Sequence, residues 1–536
     1  MATNADDRVE IARTEEGGRK GGGYAVQIVE GEETGGGFKL NLEALKQVLL
    51  HPDVVNRPVV IVSVAGAFRK GKSFLLDFML RYLQHSDESE WLSNKEESLV
   101  GFSWKSGSRP DTNGILMWSE PFVRTIPHTG EEIALLLMDT QGAFDTRSTV
   151  KQNATIFALS TMLSSIQIYN LMSQIQENDL QHLQLFTEYA RLASDYLSEK
   201  PFQSLMFLVR DWYHLGDNKY GDSGGGEYLQ SVLEVHYGQQ EELSVTRKHI
   251  YFCFDDIRCY LMPHPGMKVA VGGKEFSGQL KHIDEDFVDH LKQLMPTILD
   301  PVNLVVKKIS GNVITGKKLV HYVESYVKIF QAGELPEPKS MLEATAEANH
   351  LAAKDDSLDS YKRTMDEICG PTTPFLNPDE LAVSHSQAKE DSLNVFKLIK
   401  KMGGNIMSEK YELLLDEEIE KLFLDYSKTN DNKNIFMAAR TPAVLTTIVV
   451  ICYLSSGVVG LISGFLANLI LILLGVTLLL LTVWAVSRYT GQYRDLASMI
   501  DSLASFIFEE AIYPYYKSAI TRGSRTIMKQ VVKQRI

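Results

Sequence analysis

Between Arg440 and Arg488 the chain carries no charged side chain, and from Ala443 to Val486 it is apolar apart from scattered Ser, Thr and Gly. A hydrocarbon layer takes about 20 apolar residues per helical crossing, so two crossings fit this stretch and one does not. The break falls at Ser463-Gly464-Phe465-Leu466-Ala467-Asn468, which predicts spans at 443–462 and 469–486. Lys433 and Arg440 precede the pair and Arg488 and Arg494 follow it, while the turn carries no basic residue. That asymmetry predicts a hairpin with both termini in the cytosol. The alternative, a pair of buried core helices, conflicts with so long a run lacking any charge.

The rest of the 536 residues is too long for one hydrophobic core, and 44% hydrophobic with 23% charged residues is the profile of folded domains. A net charge of −14 argues against nucleic acid as a partner, because phosphate backbones are held by surplus Lys and Arg. The basic residues Lys517, Arg522, Arg525, Lys529, Lys533 and Arg535 gather in a C-terminal stretch without acidic ones, which points to an anionic membrane surface. Cys253, Cys259, Cys369 and Cys452 have neither metal-ligand nor disulfide-framework spacing, as expected in a reducing compartment. Residues 1–36, rich in charge and glycine, read as a flexible cytosolic tail rather than a signal peptide.

The most specific chemistry lies near the N-terminus. Val59-Val60-Ile61-Val62-Ser63-Val64 reads as a buried strand and runs into Gly66-Ala67-Phe68-Arg69-Lys70-Gly71-Lys72-Ser73, after which Phe74 to Leu80 continue as an apolar helix. This is G-x-x-x-x-G-K-[ST] in its required strand–loop–helix context. The glycines let backbone N–H groups surround phosphates at the positive end of the helix dipole. Lys72 would reach the β- and γ-phosphates and the Ser73 hydroxyl would ligate Mg²⁺. A second strand, Ile133 to Met138, ends in Asp139-Thr140-Gln141-Gly142, where Asp139 would hold Mg²⁺ through water and Gly142 would offer its N–H to a γ-phosphate.

Between these segments, Ser106-Gly107-Ser108-Arg109-Pro110-Asp111-Thr112-Asn113-Gly114 is a polar loop that could order over the γ-phosphate, with Thr112 completing the metal shell. A third strand, Leu205 to Val209, ends in Arg210-Asp211. Asp211 is either a reader of guanine N1–H and 2-amino groups or a strand-terminal surface residue, and spacing alone leaves both open. No N-K-x-D motif identifies the purine. A loop is expected at 221–226, without an assignable role.

Towards the C-terminus, Gly333-Glu334-Leu335-Pro336-Glu337-Pro338-Lys339 predicts an extended hinge linker, since alternate prolines stop a helix. Tyr411, Leu414, Leu415, Ile419, Leu422, Phe423 and Tyr426 then recur at helical spacing, predicting a three-helix bundle over 340–435. Within the cytosolic amphipathic and basic tail, 489–536, Leu496, Met499, Ile500, Leu503, Phe506 and Ile507 form one apolar stripe. It is either a packed helix or, directly after a span, an amphipathic helix in the bilayer interface.

Taken together, Gly66 to Ser73, Arg109 to Gly114, Asp139 to Gly142 and Arg210-Asp211 make the chain similar to the atlastins, of the dynamin superfamily of large GTPases, over nearly its whole length. Asn170 to Leu185, Leu335 to Ser340 and Met262 to Gly266 also resemble that family. The resemblance implies an α/β P-loop GTPase domain over 37–332, with a mostly parallel sheet flanked by helices, followed by the helical bundle, the transmembrane helical hairpin and the amphipathic tail helix. It implies GTP as substrate, Mg²⁺ as cofactor, Asp211 and Arg210 at the base, Val269 as guanine cap, and Gly66, Phe68, Arg69, Lys70, Gly71, Lys72, Ser73, Phe74, Arg109, Gln141 and Gly142 around the nucleotide. Gly272 stands where the family commonly has asparagine. Gln141 precedes rather than follows the switch glycine, and Arg69 resembles the family's internal arginine finger; the bland reading of Arg69 is a solvent-exposed loop residue. Arg69, Lys72 and Thr112 are the expected catalytic residues. The implied role is homotypic fusion of endoplasmic reticulum membranes by a homodimer formed in trans, with the lipid bilayer and other tubule-shaping membrane proteins as partners. A membrane-shaping hairpin toggled by nucleotide and an effector-recruiting switch GTPase are the competing readings.

Overall fold

The computed structural model describes residues 22–31, 38–68, 70–85, 90–103, 114–142, 150–196, 199–235, 241–271, 276–330, 336–433, 435–490, 494–508 and 510. They form two compact units, Met1–Ser357 with Leu393–Leu415, and Leu358–Ser392 with Asp416–Ile536.

The first unit is built on a nine-stranded sheet. Its strands are β1 (Ala25–Gly31), β2 (Phe38–Leu40), β3 (Val59–Gly66), β4 (Ile115–Trp118), β5 (Phe122–Thr125), β6 (Glu132–Thr140), β7 (Ile166–Met172), β8 (Phe202–Arg210) and β9 (Phe254–Leu261). The order is β2-β1-β4-β6-β3-β7-β8-β9, with β5 also on β6. The run β6-β3-β7-β8-β9 is parallel, and the antiparallel pairs lie on the β1, β2, β4 and β5 side. Every residue of β3 is buried, Val60, Val62 and Val64 in a core with Phe74, Leu76 and Phe78, and Val59, Ile61 and Ala65 in a core on the opposite face. Burial on both faces explains why β3 reads as one continuous apolar run. Each buried Val, Ile, Leu or Phe side chain among them contributes about 1.5–3 kcal/mol relative to exposure.

Three expectations change. The segment 1–36 is not all flexible tail, because Ala25–Gly31 is a strand pairing with β4, with Val26, Ile28 and Val29 buried. The flanking glycine clusters hid a short alternating strand whose partner lies far away in sequence. The expected loop at 221–226 is the start of the helix Gly221–Leu233. Its glycines permit close approach rather than disorder, since a Cβ on Gly225 would lie 2.0 Å from the Cys259 carbonyl oxygen of β9. That closeness offsets a cost of about 1 kcal/mol per helical glycine.

The third change concerns the hinge. Pro338 opens the helix Pro338–Cys369, a first-turn position where proline's missing N–H costs nothing, so the extended segment cannot reach Lys339. The early turns of this helix belong to the first unit's core. Tyr189 and Tyr326 hydroxyls lie 3.1 and 3.2 Å from Thr345 Oγ1, and Asn349 Oδ1 accepts from Ser310 Oγ at 2.8 Å. The division between compact units thus falls within helices, after Ser357, rather than at the prolines.

In the second unit His385 stacks on Phe423, with ring centroids 3.9 Å apart, and its Nδ1 lies 2.9 Å from the Tyr361 hydroxyl. Lys389 bridges Asp416 at 2.7 Å and Glu420 at 2.6 Å on the helix Gly404–Asn432. The hairpin consists of helices Ile435–Gly460 and Gly464–Thr490, with apolar spans Ala439–Gly460 and Gly464–Ser487. The turn is Leu461-Ile462-Ser463, shorter than the expected break, because Gly464 to Asn468 already lie in the second helix. Side chains such as Ile451, Leu454, Ile472 and Leu479 are exposed along both spans, as lipid-facing rather than core helices require. The tail helix Arg494–Ile507 splits its expected stripe, with Ile500 buried and Leu496, Met499, Leu503 and Phe506 exposed.

Candidate active site

The carboxyl ends of four neighbouring parallel strands, β6, β3, β7 and β8, carry Asp139, Gly66, Asn170 and Arg210. Ligands of open α/β sheets bind at this edge. Gly66 leaves β3 at φ 148° and Gly71 caps the helix Lys72–Gln84 at φ 73°, both in the region that favours glycine. Space demands glycine at Gly66, where a Cβ would lie 2.2 Å from the Asn170 carbonyl oxygen, and at Gly71 a Cβ would lie 2.3 Å from Arg210 Nη1, which would have to move. Gly142 meets the loop from the β6 side, where its Cβ would lie 2.4 Å from Phe68 Cα and 2.9 Å from Lys72 Nζ.

Ser73 Oγ donates to Asp139 Oδ2 at 2.6 Å, and Asp139 is fully buried. Lys72 Nζ donates to the Ala67 carbonyl at 3.3 Å. Burial lowers the Lys72 pKa to about 8, with the Asp139 carboxylate opposing that shift. Two hard oxygen donors side by side suit Mg²⁺, which is held by one or two protein oxygens plus substrate phosphates rather than by a full protein cage. Among the described residues no three His, Cys, Asp or Glu side chains converge as such a cage.

Asp211 follows β8 at φ 56°, unusual for a residue with a side chain and of a kind that clusters at functional sites. Its Oδ1 is buried without a hydrogen-bond partner among the described residues, 3.8 Å from Arg210 Nη2. Arg210 is largely but not fully buried, and desolvation lowers its pKa while Asp211 opposes the shift. Val269, on the helix Met267–Val271, is half-buried against the same core as Phe74. The Phe74 ring packs 5.0 Å from Phe78 and so leaves only its backbone to the loop. Gln141 is engaged elsewhere, accepting from Gly114 N–H at 3.0 Å through Oε1. Arg69, Arg109 and Thr112 lie outside the described residues.

Sequence reasoning passed over Asn170 as a site residue in its own right. Its Nδ2 donates to the Lys70 carbonyl at 2.9 Å, and Arg210 Nη1 donates to the same oxygen. The available signal was an amide near the carboxyl end of the largely apolar run Ile166–Met172, which sequence reasoning did not single out as a strand.

Residues 35–308 match the family described as Guanylate-binding protein, N-terminal domain, and residues 310–435 match Guanylate-binding protein, C-terminal domain. The chain is 49% identical over 513 residues to Atlastin-1 of Pongo abelii, covering 95% of this chain and 91% of that protein. It is equally similar to Atlastin-1 of Mus musculus, and 47% identical over 509 residues to Atlastin-2 of Homo sapiens, covering 95% of this chain and 87% of that protein. With a phosphate loop, a buried aspartate beside its serine and two membrane-length helices in one polypeptide, the chain belongs to the atlastins, membrane-anchored GTPases of the dynamin-like guanylate-binding-protein family.

Proposed function

We propose that this GTPase dimerises in trans to tether and fuse endoplasmic reticulum membranes, with both of its termini in the cytosol. The observation that carries the reading is the hairpin: two apolar helices joined by three residues, in a chain whose other half hydrolyses GTP. Energy released at the site then has a bilayer to act on.

In this reading the backbone from Gly66 to Ser73 surrounds the phosphates and Lys72 offsets their charge. Gly142 presents its N–H to the terminal phosphate. The buried Asp211 oxygen accepts from guanine N1–H and the 2-amino group, with Val269 capping the base. Ser73 and Asp139 would hold Mg²⁺, joined by Thr112, and the ion would supply charge neutralisation across the β- and γ-phosphates. Arg69 places a cation against charge developing in the transition state, and a single such arginine is worth about 10³–10⁵ in rate. Differential affinity of dimer and monomer for nucleotide states performs the work, about 5.5 kcal/mol being needed to invert a 1:99 population.

Purified protein in vesicles tests this. Lipids should mix with GTP but not with a non-hydrolysable analogue, and Arg69→Ala should abolish mixing while nucleotide binding persists. Mixing that continues with the analogue would favour tethering and curvature without hydrolysis-driven fusion.

A further inference from the structure

Two side chains from neighbouring strands converge on one carbonyl of the phosphate loop. Asn170 of β7 is fully buried and donates Nδ2 to Lys70 O at 2.9 Å, while Arg210, ending β8, donates Nη1 to the same atom. The acceptor decides which way the Asn170 amide faces, because only its NH₂ group can bond to a carbonyl. The Asn170 main-chain oxygen also lies where a Cβ on Gly66 would stand, 2.2 Å from that position. One residue of β7 therefore meets both ends of the loop.

In a planar trans peptide the C=O and the following N–H point in opposite directions. Holding Lys70 O towards β7 and β8 turns the Gly71 N–H away from those strands, which in the phosphate-loop reading is towards the bound phosphate oxygens. Gly71 suits the arrangement, since its φ of 73° strains any residue with a side chain and a Cβ there would crowd the Arg210 guanidinium. A peptide free to flip would instead turn its carbonyl dipole on the phosphates.

We propose that Asn170 is a positioning residue for GTP: with Arg210 it fixes the peptide between Lys70 and Gly71 so that the Gly71 N–H is preset for phosphate. The proposal rests on the reading that Gly66 to Ser73 holds the phosphates. Arg210 also lies 3.8 Å from Asp211 and so is tied to the base side, whereas Asn170 acts on the loop. Loss of Asn170 should therefore weaken phosphate binding selectively.

The test uses the full-length protein and displacement of a fluorescent GDP analogue by GDP and by guanosine, which carries no phosphate. Asn170→Leu keeps the volume but not the donor. Asn170→Ser adds no bulk, and its hydroxyl falls short of Lys70 O. Both variants should lose about five- to tenfold in GDP affinity, the effect of one buried hydrogen bond, with guanosine affinity unchanged and kcat lowered. If both ligands weaken together, or if neither weakens and only the melting temperature falls, Asn170 is a packing residue and the proposal is wrong. A wild-type protein that fails to bind GDP would overturn the phosphate-loop reading itself, a distinct result.

Discussion

The indole Nε1 of Trp484, at the end of the second membrane span, donates to the Asp501 carboxylate of the tail helix at 2.7 Å. Thr441, at the start of the first span, donates to the same oxygen at 2.5 Å, and Arg440 donates to Ser505 one turn further along. Ala497 and Ala504 are buried on this face, and their small size lets the helices approach. The tail helix is thus fastened at the mouth of the hairpin, with Leu496, Met499, Leu503 and Phe506 turned outwards.

This fastening separates two causes of order in the tail. Asp501→Leu makes the helix more apolar, so a helix held by lipid alone should exchange its amide hydrogens more slowly. A helix held by the Asp501 hydrogen bonds should exchange several-fold faster over 494–507, and Asp501→Asn, which keeps the acceptor, should stay protected. Hydrogen exchange of the full-length protein in phosphatidylcholine vesicles distinguishes these outcomes, and slower exchange in the leucine variant would refute the fastening.

Ser73 and Asp139 share a short hydrogen bond that fits a common metal. Asp139→Asn keeps the shape and removes the charge, so the magnesium concentration for half-maximal hydrolysis should rise by about tenfold or more. A magnesium titration of GTP hydrolysis that superimposes on wild type would remove Asp139 from the metal site.

At Gly71 a methyl group meets two obstacles, a left-handed φ and the Arg210 guanidinium. The backbone strain alone amounts to about 1–2 kcal/mol, so Gly71→Ala should weaken GTP binding about five- to thirtyfold. Equilibrium binding of a fluorescent GTP analogue checks this, and retained affinity would mean that the loop tolerates a different path.

Lys307 is buried, donates to the Ser164 carbonyl at 2.7 Å, and has its pKa lowered by burial from 10.5 to about 7. Above that value the folded protein has shed a proton that the unfolded chain still binds, so stability should rise with pH between about 7 and 10. One such proton accounts for at most about 1.4 kcal/mol per pH unit. Lys307→Met should flatten the stability–pH profile by that slope in chemical denaturation, since loss of the Ser164 contact shifts the profile without tilting it. Parallel profiles would show that the ammonium is accommodated in the fold.

The elements legible in the sequence are those whose signal is contained in a short window. Gly66 to Ser73 announces a phosphate loop because strand, turn and helix follow within a few residues, and the uncharged run announces a hairpin because bilayer thickness sets its length. Only the tertiary structure decided that Ala25–Gly31 is a strand, that the turns after Pro338 share the first unit's core, and that Asp501 meets Trp484. It alone brought Asn170 and Arg210 to the carbonyl of Lys70, about 100 and 140 residues away. Each of these depends on which strands or helices lie side by side, a property of how distant segments bury their apolar faces together, and no local spacing encodes it.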